Sequence, residues 1–177
     1  LEDPNDKSYF HSDNKEMEVV MDTENKLYIQ GKHSHCVCGG HYDDHSCGKV
    51  NFSEWTSATT LPTSGNYYLT TDVTLSSALT VPVGSELKIC LNGHTITKNG
   101  SGSVFYLHGT LSVTDCSAED KWGSVIGDKD TYGTIAYLYE SQAASVFNIY
   151  AGNYSSKLTT HSKDGGLIYV GNQGARK

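Results

Sequence analysis

Between positions 33 and 47 the chain reads His33-Ser-His-Cys-Val-Cys-Gly-Gly-His-Tyr-Asp-Asp-His-Ser-Cys47. Four of the 8 histidines and three of the 5 cysteines fall in this stretch. Thiolate and imidazole are the donors zinc prefers, four at a time in a tetrahedron. Cys36-x-Cys38 and His45-x-Cys47 make two close pairs joined by a short loop. The first-choice metal set is therefore Cys36, Cys38, His45 and Cys47. The spacing of His35 and Cys38 lets His35 replace Cys36, and His33 and His41 are reserves. The rival reading is a disulfide from Cys36 or Cys38 to Cys47, with the histidines merely exposed. A metal here is expected to be structural, because a catalytic ion keeps an open position and needs a general base. The segment has little apolar sequence, so a structural zinc would replace the core it lacks.

Other residues with chemical potential have weaker support. Cys90 and Cys116 are expected as free, partly buried thiols. Aligning their strands sets Cys90 beside Thr114, which leaves Cys116 offset and a bridge awkward. His94 follows Asn92-Gly93 and is read as a corner residue. His108 and His161 have no visible partner. Asp128 and Asp130 could hold calcium, but a solvated turn is the simpler reading. The carboxylates after residue 60 show no paired motif of the kind glycoside hydrolysis needs. The single arginine is Arg176. The chain is therefore expected not to be an enzyme. Net charge is −7, with no basic stripe to neutralise phosphates, so nucleic acid is not an expected partner. No apolar run is long enough to span a bilayer.

The elements that must position these residues are strands. Hydrophobic residues make up 37% of the 177, with 18 glycines and 12 tyrosines. That suits many turns and many half-buried strands better than one thick core. Residues 1–32 are acidic and β-rich, a leader or the tail of a preceding domain. Within them, Met17 to Met21 and Leu27 to Ile29 flank turn chemistry and suit a hairpin. Residues 33–50 form the Cys/His element. Residues 51–177 carry nearly continuous strand signals from Leu61 onward. Ser103-Val-Phe105, Ser124-Val-Ile126, Ser145-Val-Phe147 and Gly166-Leu-Ile168 recur every 21 residues. Aligning Leu87 with Leu111 gives a step of 24. Recurrence near 20 residues points to a solenoid of stacked coils. The polar start and the Ala-Arg-Lys177 end suggest a fragment of a longer secreted protein, with coils continuing beyond it.

Three segments carry a family resemblance: Leu61-Pro-Thr-Ser-Gly-Asn-Tyr-Tyr-Leu-Thr-Thr-Asp-Val-Thr-Leu75, Cys90-Leu-Asn-Gly-His-Thr-Ile-Thr97 and Leu111-Ser-Val-Thr-Asp-Cys116. They resemble the opening of the pectate-lyase-like right-handed parallel β-helices found in large surface proteins of Gram-positive gut anaerobes. Cys38-Gly39, with His35 before it, resembles a zinc knuckle. The resemblance implies an all-β, right-handed parallel β-helix behind a metal-stapled N-terminal element, on the bacterial surface or secreted. An anaerobic habitat would weigh against the disulfide reading. The expected role is a non-catalytic binding or display module, monomeric, with a host or dietary glycan, mucin or immunoglobulin as ligand. Tyr106, Tyr137, Tyr139, Tyr150 and Tyr169 are the expected ligand contacts, as flat rings on an exposed strand face. The rivals are the N-terminal part of a carbohydrate-active enzyme and a passive spacer.

Overall fold

The computed structural model describes residues 17–21, 26–31, 33–38, 48–129, 132–139, 145–157 and 166–171. Strands β1 (Met17–Met21) and β2 (Leu27–Gly31) pair as an antiparallel ribbon, the hairpin expected for this stretch. A second antiparallel ribbon joins β3 (Ser34–Cys36) to β4 (Lys49–Asn51). Next come β5 (Ser53–Trp55), then β6 (Gly65–Leu69), β7 (Val73–Leu75) and β8 (Leu79–Val81). The chain continues through β9 (Glu86–Cys90), β10 (Thr95–Ser101) and β11 (Phe105–Leu107). It goes on through β12 (Thr110–Thr114), a one-turn 3-10 helix (Glu119–Lys121), β13 (Ser124–Lys129) and β14 (Ala136–Tyr139). The last described strands are β15 (Val146–Ile149), β16 (Asn153–Ser156) and β17 (Ile168–Gly171).

From β6 onward, successive strands go to different sheets in rotation. The result is three parallel sheets: β15-β12-β9-β6-β5, β16-β13-β10-β7 and β17-β14-β11-β8. Leu87 pairs Leu111 in parallel, and Cys90 pairs Thr114, the register read from the sequence. The alternation explains the faces. Leu87 and Ile89 are fully buried, while Glu86 and Lys88 point outward and form an ion pair at 2.6 Å. Leu69, Val81, Ile96, Phe105, Leu107, Leu111, Val113 and Val125 meet in the same core. The corner after β9 needs left-handed backbone, which Asn92 (φ 51°) and Gly93 (φ 79°) adopt. Asn92 donates its side-chain amide to the Leu69 carbonyl at 3.0 Å, fixing that corner to the strand below. Lys98 is nearly enclosed (3% exposed); its ammonium donates to the carbonyls of Asn99, Gly100 and Ser101. A bulge in β10 supplies those carbonyls.

The expected right-handed parallel β-helix is corrected. The protein is all-β, but its architecture is three stacked parallel sheets and two antiparallel ribbons rather than a solenoid of regular coils. Two findings overturn the expectation. Partner strands are separated by unequal lengths of chain: Leu111 follows its partner Leu87 closely, whereas Phe147 lies 36 residues after its partner Leu111. The 21-residue marks are not coil repeats either. Ser124 opens β13, Val146 opens β15 and Ile168 opens β17, each in a different sheet. The small residues before these apolar pairs stand at or just before the starts of strands, so their even spacing is not a repeat of the architecture. The physical reason is that parallel pairing fixes only the register of the strands, leaving the length of each connection free.

Candidate metal centre

The β3 segment is extended, so His33 and His35, two residues apart, project to one side. Phe52, 4% exposed, anchors them. Its backbone N–H donates to the His33 carbonyl at 2.9 Å, and its ring stacks on His35 with centroids 4.5 Å apart. His33 lies flat on Tyr68 of β6 at 4.0 Å. The two imidazoles are thereby aimed at the end of β9 and the second residue beyond β12. Cys90, fully buried, and Cys116, half-buried, stand there.

The donor atoms of His33, His35, Cys90 and Cys116 all lie within 4.8 Å of one another. His33 Nε2 is 3.4 Å from the sulfur of Cys90 and 3.4 Å from that of Cys116. Zinc bonds of about 2.0–2.3 Å in a tetrahedron set donors roughly 3.3–3.8 Å apart, so these separations suit the edges of such a site. His35 supplies an independent sign. Its Nδ1 lies 2.6 Å from the Cys36 carbonyl and donates to it, which leaves Nε2 with a free lone pair. That Nε2 is buried and has no hydrogen-bond partner. An orphaned imidazole nitrogen facing two thiols is what a metal-ligating histidine looks like. The four residues form a group that could hold a metal ion.

The electrostatics favour a thiolate. A hydrogen bond from the Cys90 thiol holds the Cys116 thiol down at about 3, against the pull of burial and with help from His33 and His35. The same bond, with burial, pushes Cys90 well above the ordinary thiol range. Burial works against the His35 imidazolium, but the neighbouring Cys116 sulfur and the Cys36 carbonyl raise it above its ordinary value. This pairing favours the thiolate form at Cys116, and a cation is a natural partner for a thiolate.

Asp115 positions the loops that carry the sulfurs. Its fully buried carboxylate accepts backbone N–H bonds from Gly93 at 3.1 Å, Ser117 at 2.8 Å and Gly123 at 2.7 Å. It thus ties the corner after Cys90 to the turn that follows Cys116. Gly123 has no room for a side chain, since a Cβ would stand 2.0 Å from the His94 carbonyl oxygen.

The sequence-predicted set fares differently. Cys36 is disulfide-bonded and offers no thiolate, which corrects its assignment as a ligand. Cys38 is buried and outside any disulfide, its sulfur 3.2 Å from that of Cys36, and it is not among the four donors. His45, Cys47 and the reserve His41 lie outside the described residues. The reserves His33 and His35 are drawn into the group, and so are Cys90 and Cys116, expected only as free thiols. A signal for this was present: His-x-His on one strand face, and two odd cysteines offset by two positions on paired strands. His94 is a corner residue, its backbone N–H donating to the Leu91 carbonyl and its Nδ1 3.4 Å from Asp72. Asp128 accepts the Gly100 N–H at 2.9 Å, while Asp130 and His161 lie outside the described residues.

The expected ligand tyrosines are only partly an exposed set. Tyr106, Tyr139 and Tyr169 are half-buried on the β17-β14-β11-β8 sheet, whereas Tyr137 is 1% exposed. Burial raises its phenol above the ordinary range, with the neighbouring tyrosines adding to the effect. Tyr150 follows β15, in a different sheet, and stands apart from the others. No family model, curated protein or solved structure matches this chain.

Proposed function

We propose that this chain is a non-catalytic binding and display module of a bacterial surface or secreted protein. In this reading a structural zinc ion on His33, His35, Cys90 and Cys116 fastens its N-terminal segment to the parallel sheets. The observation that supports the reading is the donor set: two imidazoles and two sulfurs within 4.8 Å of one another would fill the four positions of a zinc ion and leave none for substrate or water. The ligands come from chain segments more than fifty residues apart, the pattern of a staple. The disulfide at Cys36 supports an oxidising, extracytoplasmic location. The partner would be a host or dietary glycan or host protein, and the net charge of −7 speaks against nucleic acid.

Elemental analysis after dialysis tests the metal. One zinc per chain is expected, lost in Cys90→Ser and Cys116→Ser but retained in Cys38→Ser. Retention in Cys116→Ser, with loss in Cys38→Ser, would move the site away from this quartet. Product release from a defined polysaccharide by the purified chain would overturn the non-catalytic part.

A further inference from the structure

Cys90 and Cys116 are unbridged, although the same chain holds Cys36 in a disulfide. Their sulfurs lie within 4.8 Å of each other, and His33 Nε2 stands 3.4 Å from both. Pairing of β9 with β12 sets Cys90 opposite Thr114, which alone would leave Cys116 two positions too far along. The turn after β12 brings its sulfur back. Asp115 accepts the N–H groups of Gly93 and Ser117, and the Cys116 sulfur reaches Asn92 Oδ1 at 3.6 Å, over the end of β9. A disulfide sets its sulfurs about 2.05 Å apart, so closure asks for side-chain rotation at the ends of two strands that already pair. Cys90 is fully buried, while Cys116 is half-buried and is the sulfur a small molecule can reach.

Two sulfurs this close have two stable fates. Conditions that keep Cys36 oxidised also oxidise a neighbouring pair of thiols, unless a cation holds both as ligands. The fates exclude each other, because a sulfur bonded to sulfur is no longer a thiolate donor. The imidazoles of His33 and His35 would remain, and two nitrogens are half of a tetrahedral site.

We propose that Cys90 and Cys116 are a redox release for the metal staple. A small-molecule disulfide converts them to an intramolecular disulfide, and the metal ion and the β3–β4 ribbon lose their hold on the sheets. The proposal rests on the reading of the four residues as a metal site and adds its regulation. The Cys116 thiolate attacks one sulfur of the oxidant, forming a mixed disulfide and expelling one small thiolate. The Cys90 thiolate then attacks the Cys116 sulfur and expels the second. Two cysteine thiolates are oxidised, one external disulfide is reduced to two thiolates, and the cation leaves to solvent. The new bond joins strands that already pair, so the parallel sheets persist. The ribbon keeps the stacking of His33 on Tyr68 but loses its tie to the two sulfurs.

The test uses the zinc-loaded whole chain and oxidised glutathione. A dye that captures released zinc reads the metal, and peptide mapping by mass spectrometry reads the bridges. One zinc should be released for each Cys90–Cys116 bridge formed. Amide exchange of residues 33–38 should rise while 87–90 and 110–114 stay protected. Excess free zinc should slow bridging about tenfold or more, since it keeps the sulfurs as ligands. Cys38→Ser should respond as the unaltered chain does, which separates this pair from the sulfurs of Cys36 and Cys38. Zinc retained under oxidant, or released without a Cys90–Cys116 bridge, overturns the inference and leaves the staple reading in place. Release that Cys38→Ser abolishes overturns it equally. A chain that takes up no zinc overturns the staple reading, and this inference with it.

Discussion

At the residue scale, three groups have contrasting fates. The His35 Nε2 and the Cys116 sulfur are exposed to each other and to a potential cation, and the Asp115 carboxylate is consumed by three backbone donors. Asp115→Asn keeps the size of the side chain but replaces one acceptor oxygen with an amide. Outer-shell changes of this kind cost about 10–100-fold in metal affinity, and that loss is expected in competition against a chelating dye. Tyr137→Phe removes a buried hydroxyl with no partner. It should stabilise the ligand-free chain by about 1 kcal/mol, read by denaturant titration.

At the element scale, the paired strands β9 and β12 form the centre of the fold. Leu87, Ile89, Leu111 and Val113 are all fully buried, and each pairs its counterpart in parallel register. Leu111→Ala should cost about 2–5 kcal/mol, measured by chemical unfolding, because the surrounding sheets are too rigid to close the cavity. The β3–β4 ribbon is a different case. Ring contacts with Phe52 and Tyr68 hold it, together with the proposed metal staple to Cys90 and Cys116. Adding a strong chelator should raise amide exchange in residues 33–38 while leaving 87–91 and 110–114 protected. Uniform exchange across both regions would show that the centre supports the whole fold and not the ribbon alone.

At the scale of the whole molecule, one buried and one half-buried phenol set an alkaline limit. Burial raises both Tyr137 and Tyr154, the latter with a smaller contribution from Asp115. In the unfolded chain these phenols ionise near pH 10, whereas in the folded protein they stay neutral to higher pH. Above that range the unfolded state therefore gives up protons that the folded state keeps, and stability falls as pH rises. Below it the two states carry the same charge at these positions and the effect is absent. Melting temperature should fall steeply above about pH 10, and absorbance titration should show late-ionising tyrosines. The Tyr137→Phe, Tyr154→Phe double variant should flatten that decline.

The sequence by itself determined the kind of element and much of the local register. Alternation in Leu87 to Cys90 and Leu111 to Thr114 fixed which residues face the core, and aligning Leu87 with Leu111 gave the register of the observed pair, because with a side-chain period of two a one-residue slip would turn the apolar set outward. Asn92-Gly93 marked a corner because few other residues tolerate its backbone. The density of histidine and cysteine marked residues 33–50 as a candidate metal element, of which His33 and His35 join the observed donor group. Only the tertiary structure decided which donors meet. Cys36 is taken by a disulfide, while His33 and His35 reach sulfurs that lie far along the chain, and no local spacing encodes such a meeting. The same limit explains the false 21-residue repeat. Connections between parallel strands are free to vary in length, so sheet membership follows from packing rather than from the interval between similar residues. It also explains Tyr137, which reads as an exposed strand residue but is enclosed by tyrosines that only strand pairing brings beside it.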